Sequence, residues 1–123
     1  MSAFCNEVRA SIANYLAEID ARYLREEELG GGTACLFAVG DRLIAITDAP
    51  YDGQNCRVSA PNPQPPLNPA DWDTLWSTMG LTRNTDTDEG LTAYLRLFPD
   101  DGYEFMQFMG KCLLKYFHSE ARQ

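Results

Sequence analysis

The chain has 123 residues, of which 45% are hydrophobic and 23% are charged, and its formal net charge is −8. This length suits a single domain with one core over residues 1–123, and the composition excludes a wholly disordered chain. A surface this acidic repels phosphate groups, which argues against nucleic acid and anionic membranes and favours a basic protein partner or simply high solubility.

The first predicted element is one amphipathic helix over residues 2–28. Apolar side chains recur at spacings of three and four, which places them on one face of a helix. They are Phe4, Val8, Ile12, Tyr15, Leu16, Ile19 and Tyr23. We expect Gly30, Gly31 and Gly32 to end this helix, because glycine accepts the left-handed conformation found at helix C-termini. Residues 1–9 lack the pattern of a signal peptide.

A tight β-hairpin is predicted over residues 33–48. Gly40 and Asp41 in its middle suit a two-residue loop, since glycine tolerates positive φ. Apolar residues occupy both faces of its first strand, which implies that each face is covered. We expect a helix to cover one face and consider a partner protein for the other.

The middle of the chain predicts a short strand, a connector and a short helix. The strand is expected at residues 55–59. Five prolines in residues 60–69 predict an extended connector, because proline breaks sheet ladders and helix interiors alike. A helix over residues 68–79 is expected to begin with Asn68 as its cap. Its apolar face suits either the core or a dimer interface.

The last third predicts a loop, a strand and a helix. Residues 81–89 are polar and rich in turn formers, and residues 90–98 alternate apolar and polar as in a half-buried strand. Asp101 and Glu104 resemble a capping box for the final helix. Its apolar face is Phe105, Phe108, Met109, Cys112, Leu113, Tyr116 and Phe117.

Residues with catalytic or metal-binding chemistry are scarce in this chain. His118 is the single histidine, and its place in a last helical turn is explained by the helix dipole. The four cysteines are far apart and occupy apolar positions, which predicts free thiols in a reducing, cytoplasmic setting. Residues 84–95 depart from a calcium loop at two required positions. We therefore expect no enzyme, no cofactor and no metal.

The order of these elements resembles the class I chaperones of bacterial type III secretion, the Tir-chaperone-like family. The closest similarities are the hairpin at residues 34–46 and the strand-to-helix passage at residues 95–101. The resemblance implies an α+β fold: a twisted antiparallel sheet flanked by N- and C-terminal helices, with the short middle helix at a homodimer interface. It also implies a cytoplasmic protein that binds an N-terminal segment of a secreted effector and keeps it soluble and export-competent.

This resemblance suggests two surfaces, whose residues we choose from the patterning. The expected effector-binding patch is Ile12, Leu16, Cys35, Phe37, Val39, Ile44 and Ile46. The expected dimer interface is Trp72, Leu75, Trp76 and Met79. Two alternatives stay open, namely an acidic immunity protein that neutralises a basic toxin and a regulatory adaptor with a chaperone-like fold.

Overall fold

The computed structural model describes residues 2–29, 31–49, 53–78 and 105–121. Its helices are α1 (Ala3–Ser11), α2 (Ala13–Glu18), α3 (Leu75–Thr78) and α4 (Phe105–Ala121), with a 3-10 turn at Pro69–Asp71. Its strands are β1 (Arg22–Leu29), β2 (Gly32–Val39), β3 (Arg42–Ala49), β4 (Gly53–Val58) and β5 (Asp73–Thr74). The predicted α+β class is confirmed. The predictions for residues 81–98 and for the capping box of Asp101 and Glu104 lie outside the described residues.

The five strands form one sheet in chain order, β1-β2-β3-β4-β5, and each strand is antiparallel to the next. The register aligns Tyr23, Phe37, Ile44 and Val58 in one row across the first four strands. Directly opposed side chains point to the same face of a sheet. This row therefore presents a continuous apolar surface to the helices.

The predicted hairpin is confirmed by β2 and β3. Val39 pairs with Arg42, which leaves Gly40 and Asp41 as a two-residue loop. Gly40 has a φ of 58°. A positive φ at the first central residue is the feature of the type II′ turn, whose twist matches that of the flanking strands.

The single helix predicted over residues 2–28 is wrong, because helical structure ends at Glu18. Asp20 has a φ of 57° and its N–H donates to the Ala17 carbonyl at 3.1 Å. The Ala21 N–H donates to the Leu16 carbonyl at 2.9 Å. These two bonds form a Schellman C-cap, with an aspartate in the left-handed position that glycine usually occupies.

Gly31 and Gly32, which the sequence predicts to end that helix, instead belong to a second hairpin. Leu29 pairs with Gly32, and Gly31 has a φ of 90°. Residues 22–29 thus form β1 beside β2. Tyr23, which extends the helical spacing of the sequence, packs edge-on against Phe37 with ring centroids 5.5 Å apart.

The strand predicted at residues 55–59 is confirmed as β4, and the connector at residues 60–68 has neither helix nor strand. Ser59 is buried where the connector begins. Its hydroxyl accepts from the Leu43 N–H at 2.9 Å and donates to the Ala60 carbonyl at 2.8 Å. The Asn62 N–H donates to the Asp41 carbonyl at 2.6 Å, which ties the connector to the β2–β3 loop.

The helix predicted over residues 68–79 is also wrong. The 3-10 turn is followed by Trp72, whose backbone is extended (φ −79°, ψ 153°) and whose carbonyl accepts from Arg57 Nη1 at 2.8 Å. Asp73 and Thr74 then pair with β4. Sheet pairing therefore overrides local helix propensity, and within the described part of this range the α-helix is limited to Leu75–Thr78.

One hydrophobic core lies between the sheet and the helices. The last helix is confirmed, and it supplies Met106, Met109, Cys112, Leu113 and Phe117. The other core residues are Cys5, Val8, Ile12, Leu16, Ile19, Cys35, Phe37, Val39, Ile44, Ile46, Cys56, Val58 and Leu75. Helices α1, α2 and α4 thus cover one face of the sheet.

The expectation of four free cysteines is wrong for two of them. Cys5 of α1 and Cys35 of β2 form a disulfide, with their Cα atoms 5.8 Å apart. Cys56 and Cys112 are free and buried. The disulfide links the first helix to the sheet across 30 residues of sequence.

Candidate functional site

The residues expected to form the effector-binding patch are enclosed in the core. All seven belong to the core cluster, and the most exposed of them, Val39, has 8% of its surface accessible. They are Ile12, Leu16, Cys35, Phe37, Val39, Ile44 and Ile46. A partner cannot touch these side chains without separating the helices from the sheet, so the structure does not support them as a contact surface.

The opposite face of the sheet is also covered over its central positions. Ala34, Leu36 and Ala45 have no accessible surface in the single chain. A second protein is therefore not needed to bury them. Ala38 and Leu43 on the same face are half-buried, close to the β2–β3 loop.

The expected dimer interface is divided between core and surface. Leu75 is fully buried in the core, whereas Trp72 is half-buried. The Trp76 side chain and Met79 lie outside what the structure describes. Of the four predicted interface residues, Leu75 therefore belongs to the chain's own core, and the interface stays a prediction for the others.

Within the described residues the structure brings together no metal-binding group of three or more His, Cys, Asp or Glu side chains. No helix in that part of the chain is long and apolar enough to cross a membrane. His118 is exposed in the last turn of α4, as its place in the sequence predicts.

The two free thiols lie in an apolar environment that disfavours their ionised form. Burial raises the pKa of the Cys112 thiol to about 12, although Lys115 partly opposes this rise. Burial, and then the nearby Cys112, raise the pKa of Cys56 further. Thiolates are the nucleophilic form of cysteine, so both residues act as small hydrophobic side chains, as predicted.

The outer edge of β1 is the most distinctive surface of the described residues. We call it the β1 edge and define it as Arg22–Leu29. Among the described strands, only β2 neighbours β1. In an antiparallel edge strand, alternate residues direct their N–H and C=O groups away from the sheet, where an added strand can bind them. The register of β1 with β2 shifts between Tyr23 and Arg25, so the regular part of the β1 edge, residues 25–29, is a potential acceptor for extended polypeptide.

Contacts from α1 hold β1 in place from the helix side of the sheet. The Arg9 guanidinium lies 4.6 Å from the centroid of the Tyr23 ring. The Ser2 N–H donates to Glu26 Oε1 at 2.7 Å, and hydrogen bonding from Ser2 lowers the pKa of the Glu26 carboxyl. These contacts engage side chains on the helix side of the sheet and leave the outward backbone groups of β1 untouched.

The charges of the β1 edge are unevenly distributed. Arg22 and Arg25 lie in its first half, and Glu26, Glu27 and Glu28 lie in its second half. Arg25 Nε donates to Glu27 Oε1 at 2.7 Å. Exposed pairs of this kind contribute only about 0–1 kcal/mol to stability, so both side chains can exchange partners at low cost.

A cavity of about 420 Å³ adjoins the first residue of the β1 edge. It is lined by Asp20, Ala21, Arg22, Ala38 and Gly40, so it carries one carboxylate and one guanidinium. These groups can bind polar or charged side chains, and Arg22 belongs to both the cavity and the edge. Together, the β1 edge and this cavity form the candidate functional site.

The sequence pattern does not predict this site, because the helical spacing of its apolar residues places residues 22–28 in a helix. The signal that points to it is the pair Gly30 and Gly31 between Leu29 and the strand that follows. Two glycines between strand-forming segments are typical of a two-residue hairpin loop.

No family model, curated protein or solved structure matches this chain. The function of the candidate site therefore has to follow from its own geometry and charge.

Proposed function

We propose that this protein is a binding protein without catalytic turnover, and specifically a type III secretion chaperone that holds an N-terminal segment of a secreted effector. The observation that carries the proposal is the β1 edge, a strand of eight residues with a neighbour on one side only among the described strands. Strand addition at such an edge binds a partner chiefly through its main chain. This mode suits segments that have no fold of their own.

The cavity beside Arg22 adds selectivity to this mode of binding. A segment lying along the β1 edge passes the cavity, where Asp20 and Arg22 can bind one of its polar side chains. Main-chain hydrogen bonds then supply affinity, and the cavity discriminates between segments. An effector segment held extended in this way cannot pair with other effector chains, which keeps it soluble.

A bacterial cytoplasmic location belongs to this proposal, because an effector has to be bound before export. The Cys5–Cys35 disulfide removes the argument for a reducing compartment that was based on free cysteines. The proposed location is therefore supported by the proposed function alone, and the cysteines do not support it.

The charge of the chain favours a second candidate function, that of an immunity protein for a basic toxin. The formal net charge is −8, and Asp41, Asp48 and Asp71 are exposed. Such a complex would be held mainly by ion pairs and would weaken steeply as salt concentration rises. A strand-addition complex would weaken much less.

The test is co-expression with the protein encoded by the adjacent gene, with a photo-crosslinking side chain placed on the candidate site. We expect the two proteins to co-purify, the partner to be soluble only in the complex, and crosslinks to form from position 28 on the β1 edge. Position 7, an exposed position on α1, provides the matched control. Crosslinks from position 7 but not from position 28 would contradict the proposed site, and a complex that dissociates in high salt would favour the immunity protein.

A further inference from the structure

Glu26 and Glu28 lie together on the helix side of the β1 edge. Glu26 is paired with Cys35, whose side chain is in the core beneath the helices. Directly opposed residues share a face of the sheet, and side chains alternate along a strand, so Glu28 shares the face of Glu26. Arg25 and Glu27 lie on the opposite face, where they form an ion pair with each other. These two charges compensate each other, whereas the two on the helix side are both negative.

The outward main-chain groups of this part of the strand belong to the same two glutamates. Leu29 and Gly32 flank the two-residue loop before β2, and the residues that flank such a loop form a hydrogen-bonded pair. Hydrogen-bonded and non-hydrogen-bonded pairs alternate along an antiparallel ladder. The odd-numbered residues of the range 25–29 therefore bond to β2. Glu26 and Glu28 direct their N–H and C=O groups away from the sheet.

The two carboxylates are placed to meet the side chains of an added strand. Glu28 is exposed and has no ion-pair partner among the described residues. Glu26 is half-buried, and its Oε1 accepts the Ser2 N–H at 2.7 Å. This hydrogen bond lowers the pKa of the Glu26 carboxyl, which favours its ionised form. An added strand thus meets two negative charges, two residues apart, on one of its faces.

We infer that the β1 edge selects an extended segment that carries two basic side chains, Lys or Arg, separated by one residue. In a strand paired with residues 26 and 28, the directly opposed side chains lie on the helix side, where each meets one carboxylate. The net charge of −8 also attracts a basic segment from a distance. This inference rests on the proposed function, because it names the class of effector segment that the site would hold.

Backbone pairing and charge contribute separately to the binding of such a segment. Main-chain hydrogen bonds to the β1 edge form with any extended segment and supply affinity without selectivity. Two opposite-charge pairs across adjacent strands correspond to a roughly 2- to 30-fold lower Kd. Salt screens exposed charge pairs, so the preference for basic segments should decrease as salt concentration rises while binding itself persists.

The test compares three short, soluble peptides that are rich in Thr and Val and differ only in their charged residues. The first has two Lys residues separated by one residue, the second has two adjacent Lys residues, and the third has two Glu residues separated by one residue. NMR titration of the full chain gives each Kd, with amide shifts expected at residues 25–29. We expect the first peptide to bind about two- to fivefold tighter than the second, and the third to bind at least about tenfold more weakly than the first.

Glu28→Gln and Glu27→Gln are a matched pair of variants, since each removes one carboxylate from the same strand. Glu28→Gln removes it from the helix side and should abolish the difference between the two lysine peptides. Glu27→Gln removes it from the opposite face and should keep that difference. Equal affinities of the three peptides for the wild type, no binding of any of them, or an equal effect of the two variants would overturn the inference.

Failure of this inference is distinct from failure of the proposed function. If an effector crosslinks to the β1 edge through a segment without two basic side chains separated by one residue, only the inference is wrong. If the peptides bind in the expected order but no effector is held at the edge, only the chaperone is wrong. Amide shifts at residues 26 and 28 that change when the protein alone is diluted would assign the edge to a second copy and contradict the inference.

Discussion

Two acidic residues determine how the chain passes from its first helices into the sheet. Asp20 adopts the left-handed conformation that ends α2, and its N–H closes the helix on the Ala17 carbonyl. Glu26 accepts the Ser2 N–H, while the Ser2 hydroxyl accepts the Cys5 N–H as the cap of α1. The cap of the first helix is thereby fastened to β1, which aligns α1 along the sheet.

The Glu26 contact predicts a specific dependence of stability on pH. Hydrogen bonding from Ser2 lowers the pKa of Glu26 below its ordinary value of 4.5, because it favours the ionised carboxylate of the folded state. This contribution is fully present above pH 4.5 and is lost as pH falls through the lower folded-state pKa. Urea unfolding of the Glu26→Gln variant should therefore show a weaker loss of stability on acidification than the wild type shows.

Glu28→Gln is the matched control for this pH dependence, since it removes a carboxylate of the same strand that does not accept the Ser2 N–H. The slope of unfolding free energy against pH should be closer to the wild-type slope for Glu28→Gln than for Glu26→Gln. Equal slopes for Glu26→Gln and the wild type would show that the hydrogen bond from Ser2 does not contribute to the pH dependence of stability.

At the scale of elements, α2 packs closely against α4. Tyr15 lies directly against Gly110, and its hydroxyl donates to Gln107 Oε1 at 3.1 Å. Gln107 Nε2 in turn donates at 3.1 Å to the carbonyl of Ser11, at the break between α1 and α2. One side chain of α4 thus binds both parts of the broken first helix.

This packing predicts that Gly110→Ala is destabilising. Alanine usually stabilises a helix interior by about 0.5–1 kcal/mol relative to glycine. Here the added Cβ would collide with the Tyr15 ring, so we expect a loss of about 1–3 kcal/mol in the free energy of unfolding. Denaturant unfolding of the purified variant measures this loss.

A double-mutant cycle separates the collision from other effects at this position. In a Tyr15→Ala background the ring is absent, so Gly110→Ala should become neutral or stabilising. In a Tyr15→Phe background the ring remains, and the penalty should persist. An equal penalty in all three backgrounds would contradict the assigned cause.

At the scale of the whole molecule, the helices are held against the sheet by one hydrophobic core and by the Cys5–Cys35 disulfide. The core cluster includes residues from α1, α2, α3, α4 and strands β2, β3 and β4, and Tyr23 of β1 packs against it. The Cys5–Cys35 disulfide closes a loop that contains α2, β1 and α1 from Cys5 onward. Most of the secondary structure before β2 therefore lies within one covalent loop.

The disulfide predicts that reduction destabilises the folded protein. Closing a loop of 30 residues lowers the entropy of the unfolded chain, which corresponds to about 3–4 kcal/mol of stability in the chain-entropy model. Urea unfolding with and without dithiothreitol should show a loss of this size. The control variant, Cys5→Ala with Cys35→Ala, should not respond to the reductant, and a wild-type curve unchanged by reductant would contradict the prediction.

The sequence by itself determined the features that depend on neighbouring residues. The α+β class, the Gly40 loop, the strand before the proline-rich connector, and the last helix each follow from a local pattern of polarity or backbone preference. Such patterns act over a few residues, so they can be recognised without knowledge of the partners across the fold.

Only the tertiary structure decided the features that depend on contacts distant in sequence. Tyr23 lies in a strand because it packs on Phe37, Trp72 is extended where β4 binds its segment, and Cys5 is bonded to Cys35. Contacts distant in sequence also explain why the predicted effector-binding patch is not at the surface. An amphipathic pattern predicts that one face of an element is buried, but it does not identify the part of the chain or the partner that buries it. Here the cover is the chain's own core, and within the described residues the charged β1 edge is the surface that we propose for a partner.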